Sequence, residues 1–527
     1  MSEGVELLLD QLSSDSDSEP HSSTFAQELE VLEPTQPARK LSLLNGIALV
    51  LGLQIGSGVF STPSQVSQHV PSPGIGVIVW ILGGLLVWTG AASFIELGLA
   101  ITENGGIQEY LRVCYGDFAA FLFAWLWLGV SKPCSMALIA TVFAEYMYRA
   151  FTVDDDGAVP QWVVKVFGLL GLASIAFINC VGVRSGLTAA NIFLFLKVGA
   201  LLSICLLGLG ASLSGRGSGI GRPDHPGWFD TSGEPQLSSW SHLGNTVTAL
   251  FGVLFCYNGW ESIGFVVGDL YDPQRNLPRV LSLSMATSIT GFAWMNVAFY
   301  TVLSMGVIRG RYTVAVEFGN AIMGTAGAIA YSLIIAISAL GALNANTIAT
   351  AALCEKASEQ GYFPRVFART RPAAGMYGSD IHERRNSPGP DWLQARFQSI
   401  FKRGFPSNKD QIPRYAVLLN TSLASLFLIF GTFDGLVTFI GISGYVSYFW
   451  AVSGVFVLRR RLQATSTTPL YQTWLGNPIL FCTGSAIVVI RGIITNWWQG
   501  AAVLAFLLAG WTVYRFAIEG RRSRAIT

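Results

Sequence analysis

The chain has 527 residues, is 51% hydrophobic, and carries charge on only 12%, with a formal net charge of +1. Soluble proteins carry about 25% charged residues, so a long water-soluble enzyme with a single anchor is excluded. Apolar runs of roughly 20 residues, enough to cross a bilayer core, recur along almost the whole length and predict an all-α polytopic membrane protein.

Residues 1–40 are acidic and Ser/Pro-rich, with no apolar core of a cleavable signal. They read as a disordered cytoplasmic tail. Serines beside acids would be phosphorylation sites and Lys40 a modification site in a regulatory tail; an inert solvated leader fits the composition equally.

The apolar runs fall at 41–67, 74–101, 116–151, 161–182 and 186–212, then at 242–268, 282–308, 321–353, 413–431 and 434–458. Two more follow at 473–494 and 497–518, so twelve helices are predicted. The first five occupy 41–212 and the second five 242–458, separated by a connection at 213–241 on the outer side. Helices eleven and twelve occupy 473–518, and a basic tail closes the chain at 519–527. Pro133 lies inside the long third run and predicts a kink there.

Orientation follows from lysine and arginine. Placing both termini in the cytosol puts Arg112, Arg184, Arg275, Arg279, Arg459, Arg460 and Arg461 on the cytosolic side. The 354–412 connection, basic and punctuated by proline and glycine, also falls inside. It reads as a loop whose cations meet anionic lipid headgroups. Seven cysteines lie mostly within apolar runs without paired spacing, and read as small buried hydrophobes.

Two spans contain a contradiction. "GLQIGSGVF" at 52–60 and "FCYNGWESIGF" at 255–265 place glycine and polar residues at mid-depth, where a helix in lipid should keep every backbone bond intact. Unwound backbone is tolerated only where it lines a cavity or is buried in protein. Corresponding interruptions five spans apart predict inverted repeats, spans 1–5 and 6–10, with a ligand site at the midplane. A break before Ser57 leaves the amides of Gly56, Ser57 and Gly58 at a half-helix N-terminus, where amides and dipole attract a carboxylate. Carbonyls of Gln54, Ile55, Phe255 and Asn258 face the other way and suit an ammonium. A site offering both is built for a zwitterion, and glycine lets it approach the main chain. Tight helix packing through small residues is the alternative for "GSG" taken alone.

Ionisable residues within spans are functional candidates by default. Lys197, mid-way along the fifth span, is the foremost, with a lysine snorkelling from a tilted helix as the alternative. Lys132 could instead close a packing gap with a carboxylate. Glu261 could carry a proton, accept backbone hydrogen bonds at the break, or read a polar substrate. Glu96 and Asp269 lie near helix ends and are expected to pair with cytosolic arginines.

These segments resemble the amino acid–polyamine–organocation superfamily, and within it the L-type amino acid transporter branch. The likeness is carried by "GLQIGSGVF", "ELGLAITENGGIQEYL" at 96–111, Lys132-Pro133, "FCYNGWESIGFVVGDLYDPQRNLPRVL" at 255–281 and "ISALGALNANTIATAALCEKASEQGYFP" at 337–364. The long tail and enlarged 354–412 loop resemble the fungal methionine-permease-like members. The resemblance implies that the substrate carboxylate meets Ser57 and Gly58, and its amino group meets Gln54, Phe255 and Asn258. It further implies that Phe255 gates the ligand, with Cys256, Gly259 and Glu261 beside it and Tyr445 shaping the side-chain pocket. Members often have glycine where this chain has Asn258, which places an extra side chain near the pocket. Lys197 is similar to a fixed substitute for sodium bridging helices one and eight, which implies sodium-independent transport, coupled to protons or run as exchange. The 151–162 stretch lacks the cysteine that would bond a glycoprotein heavy chain, so a covalent partner of that kind is not expected.

The function expected is secondary transport of neutral amino acids, methionine or another large neutral one foremost, by alternating access across the plasma membrane, with a vacuolar membrane second. The alternative is an amino-acid sensor that keeps the fold but signals through its tail and loop. The five histidines lie outside the span interiors, no nucleophile–base pair stands out, and no phosphate-binding G-x-x-x-x-G-K-[ST] occurs. No enzyme activity, metal, cofactor or nucleic-acid partner is therefore expected.

Overall fold

A computed structural model describes residues 41–56, 58–152, 159–181, 183–214, 227–231, 239–367, 414–464 and 471–519. The expectations for residues 1–40, Ser57, most of the 213–241 and 354–412 connections and the 520–527 tail lie outside the described residues. The described part is all helical, joined by one isolated bridge between Leu41 and Leu270.

The first span is two helices, α1 (Leu43–Gln54) and α2 (Gly58–His69), bent by 46° where they meet. Ser42 starts α1 by accepting the Asn45 amide on its hydroxyl. Next come α3 (Pro73–Ala100) and the short α4 (Ile107–Tyr115). The third span is α5 (Asp117–Leu126), a widened π turn over Trp127–Ser131, and α6 (Lys132–Phe151). Pro133 explains that turn. Its ring would strike the carbonyl of Gly129, four residues back, and it brings no amide to that carbonyl. The Lys132 amide reaches instead to Trp127 O, five residues back. The kink predicted at Pro133 thus takes the form of one over-wide turn, a device common at functional sites.

The fourth and fifth spans are α7 (Gln161–Val181) and α8 (Val183–Leu213). The sixth is again broken, into α9 (Ser239–Cys256) and a 3₁₀ stretch over Trp260–Asp269. Its second half is not the α-helix that the apolar run suggested. Gly259 enters it at φ +112°, Val266 interrupts it with non-helical backbone, and Gly264 and Gly268 weaken any α-helical preference. Then follow α10 (Pro273–Val302), the one-turn α11 (Met305–Gly310) and α12 (Val314–Glu359), which is kinked at Gly324. The last four are α13 (Arg414–Phe430), α14 (Phe433–Ala464), α15 (Gly476–Thr495) and α16 (Trp497–Val513).

Among the described residues nine helices are long and apolar enough to cross a membrane, ten with the bent α1–α2 pair. Of the predicted twelve, α13 reaches 17 residues from the first described position of its span, and α16 reaches 17 before continuing as a π-helical turn over Tyr514–Glu519. The third span lies at the centre, with 83% of its most apolar window buried. It packs on α7, α12 and α13, while α10 packs on α3 and α8.

The two broken spans pair half against half: α2 packs on α9, and α1 on the 3₁₀ stretch. At one end the Leu41 amide donates to Asp269 O at 3.0 Å and the Tyr271 amide to Leu41 O at 2.9 Å. At the other end Arg309 caps α2, with Nε donating to Ser67 O at 2.7 Å and Nη2 to Val70 O at 2.8 Å. A guanidinium on the free carbonyls of a helix C-terminus is favourable in charge as well as hydrogen bonding.

Candidate functional site

α1 stops where its hydrogen-bond ladder runs out. The Ile55 amide still reaches Leu51 O at 2.8 Å, but the Gly56 amide turns back to Gln54 O at 2.8 Å. Of the amides predicted at this half-helix end, Gly56 is therefore engaged inside the break. Gly58 opens α2, and Ser57 is outside the described residues. At Gly58 an added Cβ would come within 2.5 Å of the Phe255 ring, so glycine there lets Phe255 lie against the start of α2. At Gly56 the nearest atom would be 3.6 Å away, an open position.

The sixth break spans Tyr257–Gly259. The Asn258 amide closes a turn onto Phe255 O at 3.2 Å. Gly259, in left-handed backbone, allows α1 to approach, since a Cβ there would stand 2.6 Å from Leu53 Cβ. The Gln54 side chain ties the two breaks together: Nε2 donates to Tyr257 O at 3.1 Å, and Oε1 accepts from Ser288 Oγ at 2.8 Å. Glu261 is turned onto its own backbone, Oε2 accepting the Gly259 amide at 2.8 Å. Its other oxygen lies 3.8 Å from Lys132 Nζ, and that ammonium also sits 4.7 Å above the Trp127 ring. Two of the roles open to these residues in sequence, packing against a carboxylate for Lys132 and bracing the break for Glu261, coincide in one contact.

A cavity lies between the breaks and the third, eighth and tenth spans. Of the residues singled out in the sequence, Gln54, Gly56, Gly58, Phe255, Cys256, Asn258, Gly259, Glu261 and Tyr445 line it. Ile55 is buried elsewhere, 1% exposed. Lys197 stands behind the wall, its Nζ donating to Gly52 O at 3.0 Å. Cys256 is held 2.8 Å from Thr62 Oγ1 of α2.

Sequence reasoning missed Trp127, Ser131 and Ser135 on the third span, Asn346 on the eighth and Tyr448 on the tenth, all of which line the cavity. Polar residues interrupting an apolar run were a usable signal for the serines and for Asn346. Tyr448 lies three residues after Tyr445, on the same helix face. Trp127 carried no such mark, because a tryptophan in an apolar run reads as packing.

α2 is buried from Gly58 to Ser67, and Tyr146 Oη donates to Phe60 O at 2.8 Å. α1, by contrast, buries only Gly46, Val50 and Gln54, a single stripe at i, i+4 spacing, and leaves Leu44 exposed. Among the described residues no cluster of three or more histidine, cysteine, aspartate or glutamate side chains could hold a metal ion.

Of the outlying acids, Glu96 pairs with an arginine as expected. Arg459 Nε and Nη2 reach Glu96 Oε1 and Oε2 at 2.7 Å each, and the Thr473 amide adds a third bond at 2.9 Å. Asp269 accepts from Asn104 Nδ2 at 3.1 Å, an amide rather than the arginine anticipated.

Two interrupted helices border one cavity, and comparison with known proteins says whose architecture this is. The sequence model described as "Amino acid permease" matches residues 41–514. The chain is 28% identical to the human (Homo sapiens) b(0,+)-type amino acid transporter 1 over 504 residues, covering 94% of this chain and 92% of that protein. It is 26% identical to the Homo sapiens cystine/glutamate transporter, over 81% of this chain and 75% of that one. It is 27% identical to the large neutral amino acids transporter small subunit 2 of Oryctolagus cuniculus, over 80% and 70%. With the family match running from the first residue of α1's approach to the end of α16, the chain belongs to the amino acid permease family.

Proposed function

We propose that this chain is a secondary transporter that moves neutral L-amino acids by alternating access. The observation that carries the reading is the cavity lined jointly by residues of both interrupted spans, Gly56 and Gly58 on one side and Asn258 and Gly259 on the other. Amides at the start of α2 suit the substrate carboxylate, and carbonyls at the ends of α1 and α9 suit its ammonium. Phe255, lying against Gly58, is placed to cover the ligand.

The finer reading has twelve spans in two inverted sets of five plus two, with both termini cytosolic and the protein in the plasma membrane. The buried α2 end is then the outward side, and the less buried α1 faces the cytosol. The half-against-half pairing of the broken spans supports the inverted repeat. Transport is sodium-independent, with Lys197 in place of a cation, and runs as proton symport or exchange. Methionine is the substrate suggested by resemblance.

The test is uptake of radiolabelled amino acids into liposomes holding the purified full-length chain, with each unlabelled amino acid as competitor. Uptake that saturates and is lost in Ser57→Pro, which removes an amide at the start of α2 while the protein still inserts, is the expected result. Binding without uptake would favour the sensor; undiminished uptake by Ser57→Pro would remove the site.

A further inference from the structure

The first turn of α2 carries the amides that the proposed site offers to a carboxylate, and by itself it is weakly built. It opens on Gly58, a poor helix former. Pro63, inside the helix, has no amide to return to Val59 O. Side chains brace this turn from outside the ladder. Tyr146 Oη of the third span donates to Phe60 O at 2.8 Å. Thr62 Oγ1 donates to Gly58 O at 2.9 Å, and Cys256 Sγ of the sixth span stands 2.8 Å from that same hydroxyl.

A hydroxyl has one proton to give. Thr62 gives it to Gly58 O, so in the Cys256 contact the thiol donates and Thr62 accepts. The bonds form a directed chain, from the Cys256 thiol to the Thr62 hydroxyl to Gly58 O. It joins the last residue of α9 to the first residue of α2. Thr62 is 0% and Cys256 3% exposed, so water does not compete for these bonds. One turn before Cys256, Gly252 lets the two helices meet, since a Cβ there would stand 2.7 Å from Gln65 Oε1. Holding Gly58 O fixes the plane of the peptide joining Gly58 to Val59, and both residues line the cavity. The amides at this end have no partner within the helix, so the direction in which they point depends on such braces.

We propose that Cys256 and Thr62 are positioning residues: the thiol, acting through the hydroxyl, aims the first peptide groups of α2 at the substrate carboxylate. The inference rests on reading the cavity as an amino-acid site. Replacing Cys256 by alanine would leave the Thr62 oxygen a buried acceptor without its donor, and the brace on Gly58 would slacken.

The experiment compares equilibrium binding of methionine and methioninamide to the full-length chain in proteoliposomes. Methioninamide keeps the side chain and ammonium but replaces the carboxylate by a neutral amide. The unaltered chain is expected to bind methionine about tenfold or more tightly than methioninamide, the range of a hydrogen bond to a charged group. Cys256→Ala and Thr62→Val should each cut that preference about threefold, whereas Cys256→Ser and Thr62→Ser, which keep the donors, should preserve most of it. Because the thiol acts through the hydroxyl, adding Cys256→Ala to Thr62→Val should lower the preference no further. A widened cavity or a generally loosened fold would weaken both ligands alike and leave the ratio unmoved. That result, or Cys256→Ser discriminating no better than Cys256→Ala, overturns the proposal. Should Thr62→Val fail to fold, the two Cys256 variants decide alone. An unaltered chain that binds methionine no more tightly than methioninamide overturns the amino-acid site itself, so the two claims fail separately.

Discussion

Lys197 Nζ donates to the carbonyl of Gly52 at 3.0 Å, joining the fifth span to the first across 145 residues. The bond follows from how α1 ends. In an unbroken helix Gly52 O would accept the Gly56 amide, but that amide turns to Gln54 O. Lys197 fills the place left empty, and a cation suits the negative end of a helix. The resemblance implied contact with helices one and eight; the bond present runs to helix one.

Lys197→Met should therefore leave a buried carbonyl unpaired at the hinge of α1. That costs about 1–3 kcal/mol, so the initial rate of uptake should fall about fivefold or more with the protein still monodisperse in detergent. Replacing sodium by choline should change uptake by the unaltered chain less than about twofold, since a fixed ammonium is already in place; a strict sodium requirement would refute this role.

Gly259 holds left-handed backbone with Leu53 against it, so Gly259→Ala meets strain and a 2.6 Å clash together. A non-glycine residue in such backbone costs about 1–3 kcal/mol. Thermal unfolding should come earlier and uptake should fall by about tenfold. Gly210→Ala, with nothing within 4 Å, should change neither and serves as the control.

Glu96 is 2% exposed and shares two hydrogen bonds with Arg459. Removing one partner of a buried pair strands the other, typically at about 3–5 kcal/mol. Arg459→Met should thus be strongly destabilising in a thermal unfolding assay. Adding Glu96→Gln should recover much of the loss, because the stranded charge is gone. If the double variant were no more stable than Arg459→Met alone, the stranded-charge account would be wrong.

Glu109, on the short α4 outside the spans, bonds Arg112 through Nε at 2.7 Å and through Nη2, and accepts from Gln360 Nε2 at 2.9 Å. Burial pushes its carboxyl up, but the hydrogen bond and charge of Arg112, then Gln360, outweigh that and hold it below its ordinary value. A group depressed in the folded state stabilises above its unfolded value, about 4.3 for glutamate, and loses that contribution as pH falls through the folded value. Glu109→Gln should therefore unfold earlier than the parent at pH 7, with the gap closing below about pH 4. A gap that does not change with pH would show that packing, not charge, sets it.

The hinge shows how far sequence reached. Glycine and serine at 55–58 and at 258–264 announced two breaks, because lipid offers backbone no alternative partner and the weak positions stand out from apolar neighbours. It could not tell which amides stay free: Gly56 bonds backward within the break, a matter of local turn geometry. Nor could it assign Glu261 among three roles, since the choice depended on Lys132, 129 residues away. The second half of the sixth span was read as an α-helix because its apolar run is long enough, and its glycines proved more decisive than that length.

Composition and the repeating apolar runs determined by themselves that this chain is a helical membrane protein with paired interruptions, because each such signal is local and set against a solvent that punishes unpaired backbone. Only the tertiary structure decided that Gln54 ties the breaks together, that Lys197 serves Gly52, and that Glu261 meets Lys132. Those outcomes depend on how helices far apart in the chain cross, and crossing is governed by the shapes of packed side chains, which no run of neighbouring residues records.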